Sequence, residues 1–454
     1  MNQPVKVGDK IKLTIDSVAN SADAVGKYDN FIVFVPFAVP GDEVEVLITE
    51  VRANFSRGKI LTVLKKSPFR VEPVCKVFGE CGGCHRQAID YSKQLEYKLK
   101  IVENAFKKFP GVKINKVVAA KEPYYYRNKT QFPADMKQSK IGLYALRSHF
   151  VVDVASCPLV SKEINTIYAE IRTYLVKIKY AVPTLRHVVI RSAETTGQAV
   201  VIFVLKNEDF TRIHEVSSYL RYKFPGISVL YNINPEDSNI IMGDKHFVYA
   251  GDGRMAEKID KIEYGFSAIS FFQTNTAQAK IIFKKIKEWV KGSFEKTALD
   301  LFCGVGAISL YVASEFKEVV GVEEMGQAIL DAMQNAKNNG IENCEFLNGR
   351  SETMLVKLMK QGFKPSTIIL DPPRKGCEQE LLNLIAKCAP ETVIYLSCDV
   401  MTLTRDLENL TGHGYKIEEV VPYDMFPMTY HIETLVRLSK GPALKKDLPV
   451  KKNA

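Results

Sequence analysis

From Thr297 onward, strand-like apolar runs end in turn on Phe302, Glu323, Asp371 and Cys398, with helical stretches between them. This βαβ rhythm constrains the fold more than any other feature, because parallel strands need crossover helices and a sheet so connected is covered on both faces. Ligands of such sheets sit beyond the carboxyl ends of the strands. All four residues fall there.

The segment from Ala298 to Leu310, ALDLFCGVGAISL, reads as an apolar strand, a glycine-rich turn and the start of a helix. Gly304 and Gly306 are expected to let the backbone pass close beneath a ligand, where a β-carbon would occupy the ligand's volume. Glu323 closes the next strand, where a carboxylate can accept both hydroxyls of a ribose. The turn is shorter than a dinucleotide fingerprint and opens with Asp300, so an adenosyl ligand carrying a cation and no phosphate suits it better than NAD. A glycine turn that serves packing alone is the plainer alternative.

Asp371 is followed by Pro372 and Pro373, a stiff non-helical loop able to wall a flat pocket. Cys398 ends the buried run VIYLSC, and a strand-end thiol beside a cofactor cleft is a candidate nucleophile if its thiolate is stabilised. Glu433 opens the last strand and is the preferred base, ahead of His431. Cys303, Cys344, Cys377 and Cys388 read as buried structural thiols.

Cys75, Cys81 and Cys84, spaced x5 and x2, with Cys157 further on, form the strongest spacing signal outside this half. Four thiolates suit an iron-sulfur cluster or a structural zinc. Nearby, YYYRNK interleaves aromatics with cations, so Tyr126, Arg127 and Lys129 are candidates for stacking on and clamping an RNA strand.

Ahead of these, residues 1–67 alternate apolar and polar positions around Ile11 to Ile15, Phe31 to Phe37, Val44 to Ile48 and Ile60 to Val63. Turns are expected at Gly26, Pro40-Gly41 and Gly58, the pattern of an OB-type β-barrel. Its basic residues favour nucleic acid over a module without a ligand. Leu95, Leu99, Val102 and Phe106 recur at helical spacing beneath a lysine-rich face. Residues 68–265 read as an α+β domain, with strands at His187 to Arg191 and Ala199 to Leu205; residues 266–440 form the α/β half, and residues 441–454 a basic tail. A net charge of +10 favours a polyanionic partner. No signal peptide or membrane span is read, which implies the cytoplasm and a reducing setting for the nine cysteines.

The segments SFFQTN (Ser270 to Asn275), DLFCGVG, VVGVE, DPPRKG, YLSCD, TLTRD and DMFPMTYHIE resemble, in order, those of the RNA uracil-5-methyltransferase family. The resemblance implies an α/β, Rossmann-like methyltransferase domain with S-adenosyl-L-methionine as methyl donor. It also implies Cys398 as a transient covalent nucleophile on uracil C6, Glu433 as base, and Gln273, Phe302, Glu323 and Asp371 as cofactor contacts. Barrel and cysteines together resemble the 23S rRNA branch, which implies a TRAM domain and a [4Fe-4S] cluster on Cys75, Cys81, Cys84 and Cys157. A tRNA uridine is the alternative substrate, and an RNA-binding protein with a degenerate catalytic half is a more distant one. No obligate protein partner is expected. Two departures stand out: Asp399-Val400 replaces the family's Asn-Pro after the nucleophile, and Gly349-Arg350-Ser351 stands where a polar or acidic adenine contact is usual.

Overall fold

The computed structural model describes residues 3–179, 182–236 and 238–441. The basic tail expected at the carboxyl end lies outside them beyond Gly441. The chain forms two compact, discontinuous units: one holds the residues up to Ile101, Val117–Ile281 and Asp424–Ile432, the other Val102–Lys116, Ile282–Tyr423 and the chain from Glu433 on. No helix among the described residues is long and apolar enough to cross a membrane.

In the first unit, β1 (Lys10–Val18), β2 (Asp23–Tyr28), β3 (Phe31–Pro36), β4 (Glu43–Val51) and β5 (Phe55–Lys65) close a barrel in the order β1-β2-β3-β5-β4, the OB-type expectation. Gly26 and Gly58 are not turns. Gly26 lies inside β2, where a β-carbon would meet Thr14 O at 2.5 Å, and Gly58 inside β5, where it would meet Val46 Cγ1 at 2.1 Å. Glycine within a strand marks close backbone approach, and at Gly26 it hid a whole strand.

Helix α1 (Tyr91–Ala105) forms as expected, with Val102 and, just beyond it, Phe106 buried as their spacing predicts, but polar residues share its buried side. Gln94 and Lys98 are both wholly buried, whereas Leu95 and Leu99 are half-buried. Lys98 belongs to the core, not to a solvated lysine face: its Nζ donates to Asp424 Oδ1 at 2.5 Å, and burial, opposed by Asp424, lowers its pKa to about 8. A wholly buried charge is tolerated because it is paired.

Strands β6 (Lys129–Asp135), β7 (Lys140–Tyr144), β8 (Val151–Asp153), β9 (Leu185–Ser192), β10 (Ala199–Leu205), β11 (Ser228–Ile233) and β12 (Lys245–Ala250) form a seven-stranded sheet. Helices α2 (Lys162–Lys177) and α3 (Thr211–Lys223) share its apolar core. The hairpin predicted around Thr195 to Gly197 joins β9 and β10, with Ala199 opposite Ser192. A two-stranded hairpin, β13 (Arg254–Ile259) and β14 (Ile262–Ser267), precedes α4 (Thr276–Trp289).

The second unit holds β15 (Thr297–Leu301), α5 (Ala307–Val312), β16 (Glu318–Glu323), α6 (Gly326–Asn338), β17 (Cys344–Asn348), α7 (Ser351–Lys360), β18 (Thr367–Leu370), α8 (Gln379–Cys388), β19 (Thr392–Ser397), α9 (Val400–Gly412), β20 (Tyr415–Tyr423) and β21 (Glu433–Lys440). The sheet order is β17-β16-β15-β18-β19-β21-β20. Five strands run parallel and β21 antiparallel to β19, so the ends of β15, β16, β18 and β19 share one edge of the sheet.

Candidate active site and cysteine site

Four carboxylates and the Cys398 thiol gather at that edge, and a second thiol, Cys303, is buried there beside Asp300 and Glu323. In the β19–β21 ladder Ser397 faces Thr434, so Cys398 and Glu433 come next on the two chains. Burial pushes the Cys398 thiol up to about 12; the Glu433 carboxylate adds to this, the Arg374 guanidinium opposes it, and Asp371 raises it further. Burial likewise holds the Glu433 carboxyl well above the usual range, with Asp371 adding and Arg374 opposing.

Asp371 follows β18, and burial, with the Asp300 carboxylate beside it, raises its pKa to about 7. Asp300 is itself buried and raised to about 7, although Ser309 donates to its Oδ2 from N (3.1 Å) and Oγ (2.6 Å). Its other oxygen, Oδ1, is buried without a hydrogen-bond partner among the described residues. Desolvated carboxylates crowded together favour a cation among them.

Glu323 is anchored by two backbone amides: Gly304 N donates to Oε2 at 3.2 Å and Met325 N to Oε1 at 2.9 Å. The two turn glycines have different jobs. A β-carbon on Gly304 would meet open space, which leaves room for a ligand; one on Gly306 would lie 2.9 Å from the Phe346 ring. Gly306 therefore serves packing and its left-handed φ of 78°, and the expectation that it makes way for a ligand is corrected. Phe302, next in the chain after β15, also holds a left-handed φ of 73°, rare for a large side chain and a mark of a constrained site.

Two features escaped the sequence reading. Arg374, in DPPRKG, is the cation that favours the thiolate of Cys398. An arginine that follows a strand-end Asp-Pro-Pro was the available signal. Asp399 caps α9: its Oδ1 accepts from Met401 N at 2.9 Å and Thr402 N at 3.2 Å, as an asparagine would, with Val400 buried at the first helical position. Val400 occupies a position that also tolerates proline. Asp399-Val400 thus keeps the helix start of Asn-Pro. Asp399→Asn is expected to leave turnover and melting temperature nearly unchanged, while Asp399→Ala lowers stability by about 1 kcal/mol in urea unfolding. At the other departure, Arg350 flanks α7 and lies 3.7 Å from Glu352.

The charges around Cys398 set a pH dependence. Below a pKa near 12 the thiolate fraction climbs about tenfold per pH unit, so alkylation of Cys398 by iodoacetamide in cofactor-free enzyme should rise steadily between about pH 6 and 9. Arg374→Gln removes the charge that favours thiolate, so its alkylation, followed by mass spectrometry, should be slower across that range.

Gln273 lies in the first unit, in the loop between β14 and α4. Asn128 Nδ2 donates to its carbonyl at 3.0 Å, and Asn128 N to Thr274 O at 2.9 Å. The YRNK segment thus frames the SFFQTN loop. Lys129 opens β6, and burial lowers its pKa to about 8, with Arg191 and Arg127 contributing. Arg127 is half-buried and its Nε donates to Lys129 O at 2.9 Å. The Tyr126 hydroxyl donates to Pro427 O at 3.1 Å, whereas Tyr125 is 45% exposed.

Cys75, Cys81, Cys84 and Cys157 come together in the first unit. Burial raises the Cys81 thiol to about 11, and the Cys157 and Cys75 sulfurs add to that; the other three sulfurs likewise act on Cys84. Backbone amides of Leu159 and Val160 donate to Cys157 sulfur, Gly83 N to Cys81 Sγ at 3.3 Å, and Gln87 Nε2 to Cys84 Sγ at 3.1 Å. Such donors stabilise thiolates. Gln87 Oε1 also accepts from Cys75 N at 3.1 Å, which ties two of the four cysteine segments together. Among the described residues, no three His, Cys, Asp or Glu side chains are positioned to hold a single metal ion. None of the nine cysteines is in a disulfide.

Residues 90–441 match the family model described as tRNA (uracil-5-)-methyltransferase, and residues 4–61 match the TRAM domain. An uncharacterized RNA methyltransferase of Clostridium acetobutylicum is 37% identical, covering 96% of this chain and 98% of its own. One from Bacillus cereus is 34% identical, covering 97% and 98%. The crystal structure of Pyrococcus abyssi tRNA (uracil-54, C5)-methyltransferase with S-adenosyl-L-homocysteine superposes with a TM-score of 0.76 at 27% identity, covering 94% of this chain and 99% of that one. The chain belongs to the RNA (uracil-5-)-methyltransferase family, carries an amino-terminal TRAM domain, and methylates C5 of uracil in RNA with S-adenosylmethionine.

Proposed function

We propose that this enzyme methylates a uridine of 23S rRNA, with Cys398 as nucleophile and Glu433 as base. The observation that supports the catalytic part is that Cys398 and Glu433 adjoin the last pair of the β19–β21 ladder, Ser397 and Thr434, and that the Glu433 carboxylate acts on the Cys398 thiol. Uracil C5 is too weak a nucleophile to take a methyl group unaided. The Cys398 thiolate adds to C6, and the electron pair displaced from the C5–C6 double bond makes C5 nucleophilic. S-adenosylmethionine supplies the electrophilic methyl group. Once C5 carries that methyl, Glu433 takes the C5 proton, the double bond re-forms and the C6–S bond breaks to return the thiolate. The carboxylates Asp371 and Glu323, with Phe302 and Gln273, are the residues that would hold the cofactor, and the crowded acids suit its positive charge. Arg127 and Lys129 would hold RNA, together with the rings around Tyr126. A base inside structured RNA must be unstacked to reach Cys398.

The rRNA reading is supported by the four thiols with their N–H donors, which suit a [4Fe-4S] cluster that scaffolds this region. The methyl chemistry is polar and needs no electron. A tRNA target is favoured instead by the Pyrococcus abyssi enzyme, whose likeness runs over 94% of this chain. Mapping 5-methyluridine in RNA from a strain lacking the protein separates the two. Loss at a 23S position with intact tRNA is expected, and loss in tRNA alone would overturn the rRNA assignment. Protein purified without oxygen should carry iron and sulfide with broad visible absorbance; stoichiometric zinc without iron would refute the cluster.

A further inference from the structure

The chain between β20 and β21 is a buried strap, Asp424–Ile432, that packs within the first unit although its two flanking strands belong to the second. Four consecutive carbonyls of this strap are taken by donors from four distant segments. Asn275 Nδ2 donates to Met425 O at 3.0 Å, Lys98 Nζ to Phe426 O at 3.1 Å, and the Tyr126 hydroxyl to Pro427 O at 3.1 Å. The amides of His85 and Arg86, which follow Cys84, donate to Met428 O at 2.9 and 3.0 Å. Asp424 is wholly buried, held by Lys98 and by the Tyr91 hydroxyl at 2.8 Å. Met428 takes a left-handed φ of 64°, a conformation that persists in a non-glycine residue only when its surroundings enforce it.

Glu433 is the residue that follows the strap. Its ladder neighbour is Tyr423 on one side, while on the other the β19 strand ends with Ser397 opposite Thr434. Among the described residues Glu433 is thus paired through Tyr423 alone, and it is joined directly to the last strap residue, Ile432.

We propose that the strap positions the catalytic base, and that Tyr126, Asn275 and Lys98 act as positioning residues for removal of the C5 proton. This rests on Glu433 being that base. It gives the Tyr126 hydroxyl a task distinct from stacking on RNA, since Tyr126→Phe keeps the ring and loses only the bond to Pro427. A base set slightly wrong slows the last step alone, so enzyme should collect as a methylated covalent complex with RNA.

The test uses the full-length protein, methyl-labelled S-adenosylmethionine and total RNA from a strain lacking the enzyme. The fraction of enzyme in a labelled complex that survives denaturing electrophoresis is compared at steady state. Tyr126→Phe should raise that fraction by about threefold to tenfold, the worth of one hydrogen bond, and Asn275→Ala, which also loses the bond that its Oδ1 accepts from Gln278 N, by at least as much, with RNA affinity kept. Fractions equal to wild type, or weakened RNA binding without accumulation, would overturn the proposal. Glu433→Gln serves as the reference: if it accumulates complex and the strap variants do not, the strap idea alone fails. If Glu433→Gln does not accumulate it, the base assignment fails with it.

Discussion

Cys398→Ala is expected to abolish methyl transfer, by a factor on the order of 10⁴ or more, while cofactor affinity stays within a few-fold of wild type. The thiol is the group in the proposed route that raises the electron density of C5, and Cys303, the other thiol at this edge, is buried beside Asp300 and Glu323, where burial raises its pKa well above the usual thiol range. Cofactor affinity survives because the acids that suit a cation, Asp300, Glu323 and Asp371, stand on other strands of the sheet. Two measurements check it: label transfer to RNA, and binding of S-adenosylmethionine by calorimetry. An RNA containing 5-fluorouridine sharpens the result, because fluorine cannot leave as a proton does. Wild-type enzyme should be trapped as a covalent adduct and Cys398→Ala should not. Wild-type turnover in the variant, or no adduct with wild-type enzyme, would refute the nucleophile assignment.

The carboxyl edge of the parallel sheet was legible because parallel strands are buried on both faces. Each of β15, β16, β18 and β19 is therefore a mostly apolar run, and Phe302, Glu323, Asp371 and Cys398 mark where each run ends. Strand β17 was not read, since it lies at the sheet edge and only Phe346 of its five residues is buried. Strand β2 was lost to Gly26, a residue that signals a turn by type and a tight crossing by position. Lys98 misled for a related reason: lysine is a surface residue by composition, and its partner Asp424 lies 326 positions away. Tyr126 illustrates the same limit. Its motif signals RNA, yet the bond its hydroxyl makes to Pro427 spans 301 positions, and sequence carries no local trace of such a pairing.

The second large effect is expected at Glu433→Gln. Glutamine keeps the size of the side chain and cannot take a proton, so addition and methyl transfer should proceed in the first turnover while release of product slows by about 10²- to 10⁴-fold. The outcome differs in kind from Cys398→Ala: methyl label enters RNA that stays bound to protein. The environment of the carboxyl adds a second signature. Burial, with Asp371 beside it, holds Glu433 well above the ordinary carboxylate range. A base with a raised pKa is protonated and idle at low pH and gains activity as pH rises through that pKa. Decay of the methylated adduct in wild type should therefore quicken with rising pH, and in Glu433→Gln it should lose that dependence. His431 as base would reverse the expectation, since the variant would then release product at the wild-type rate and keep the wild-type pH profile. Rapid quench of a single turnover, with adduct and free methylated RNA measured separately, distinguishes the two residues.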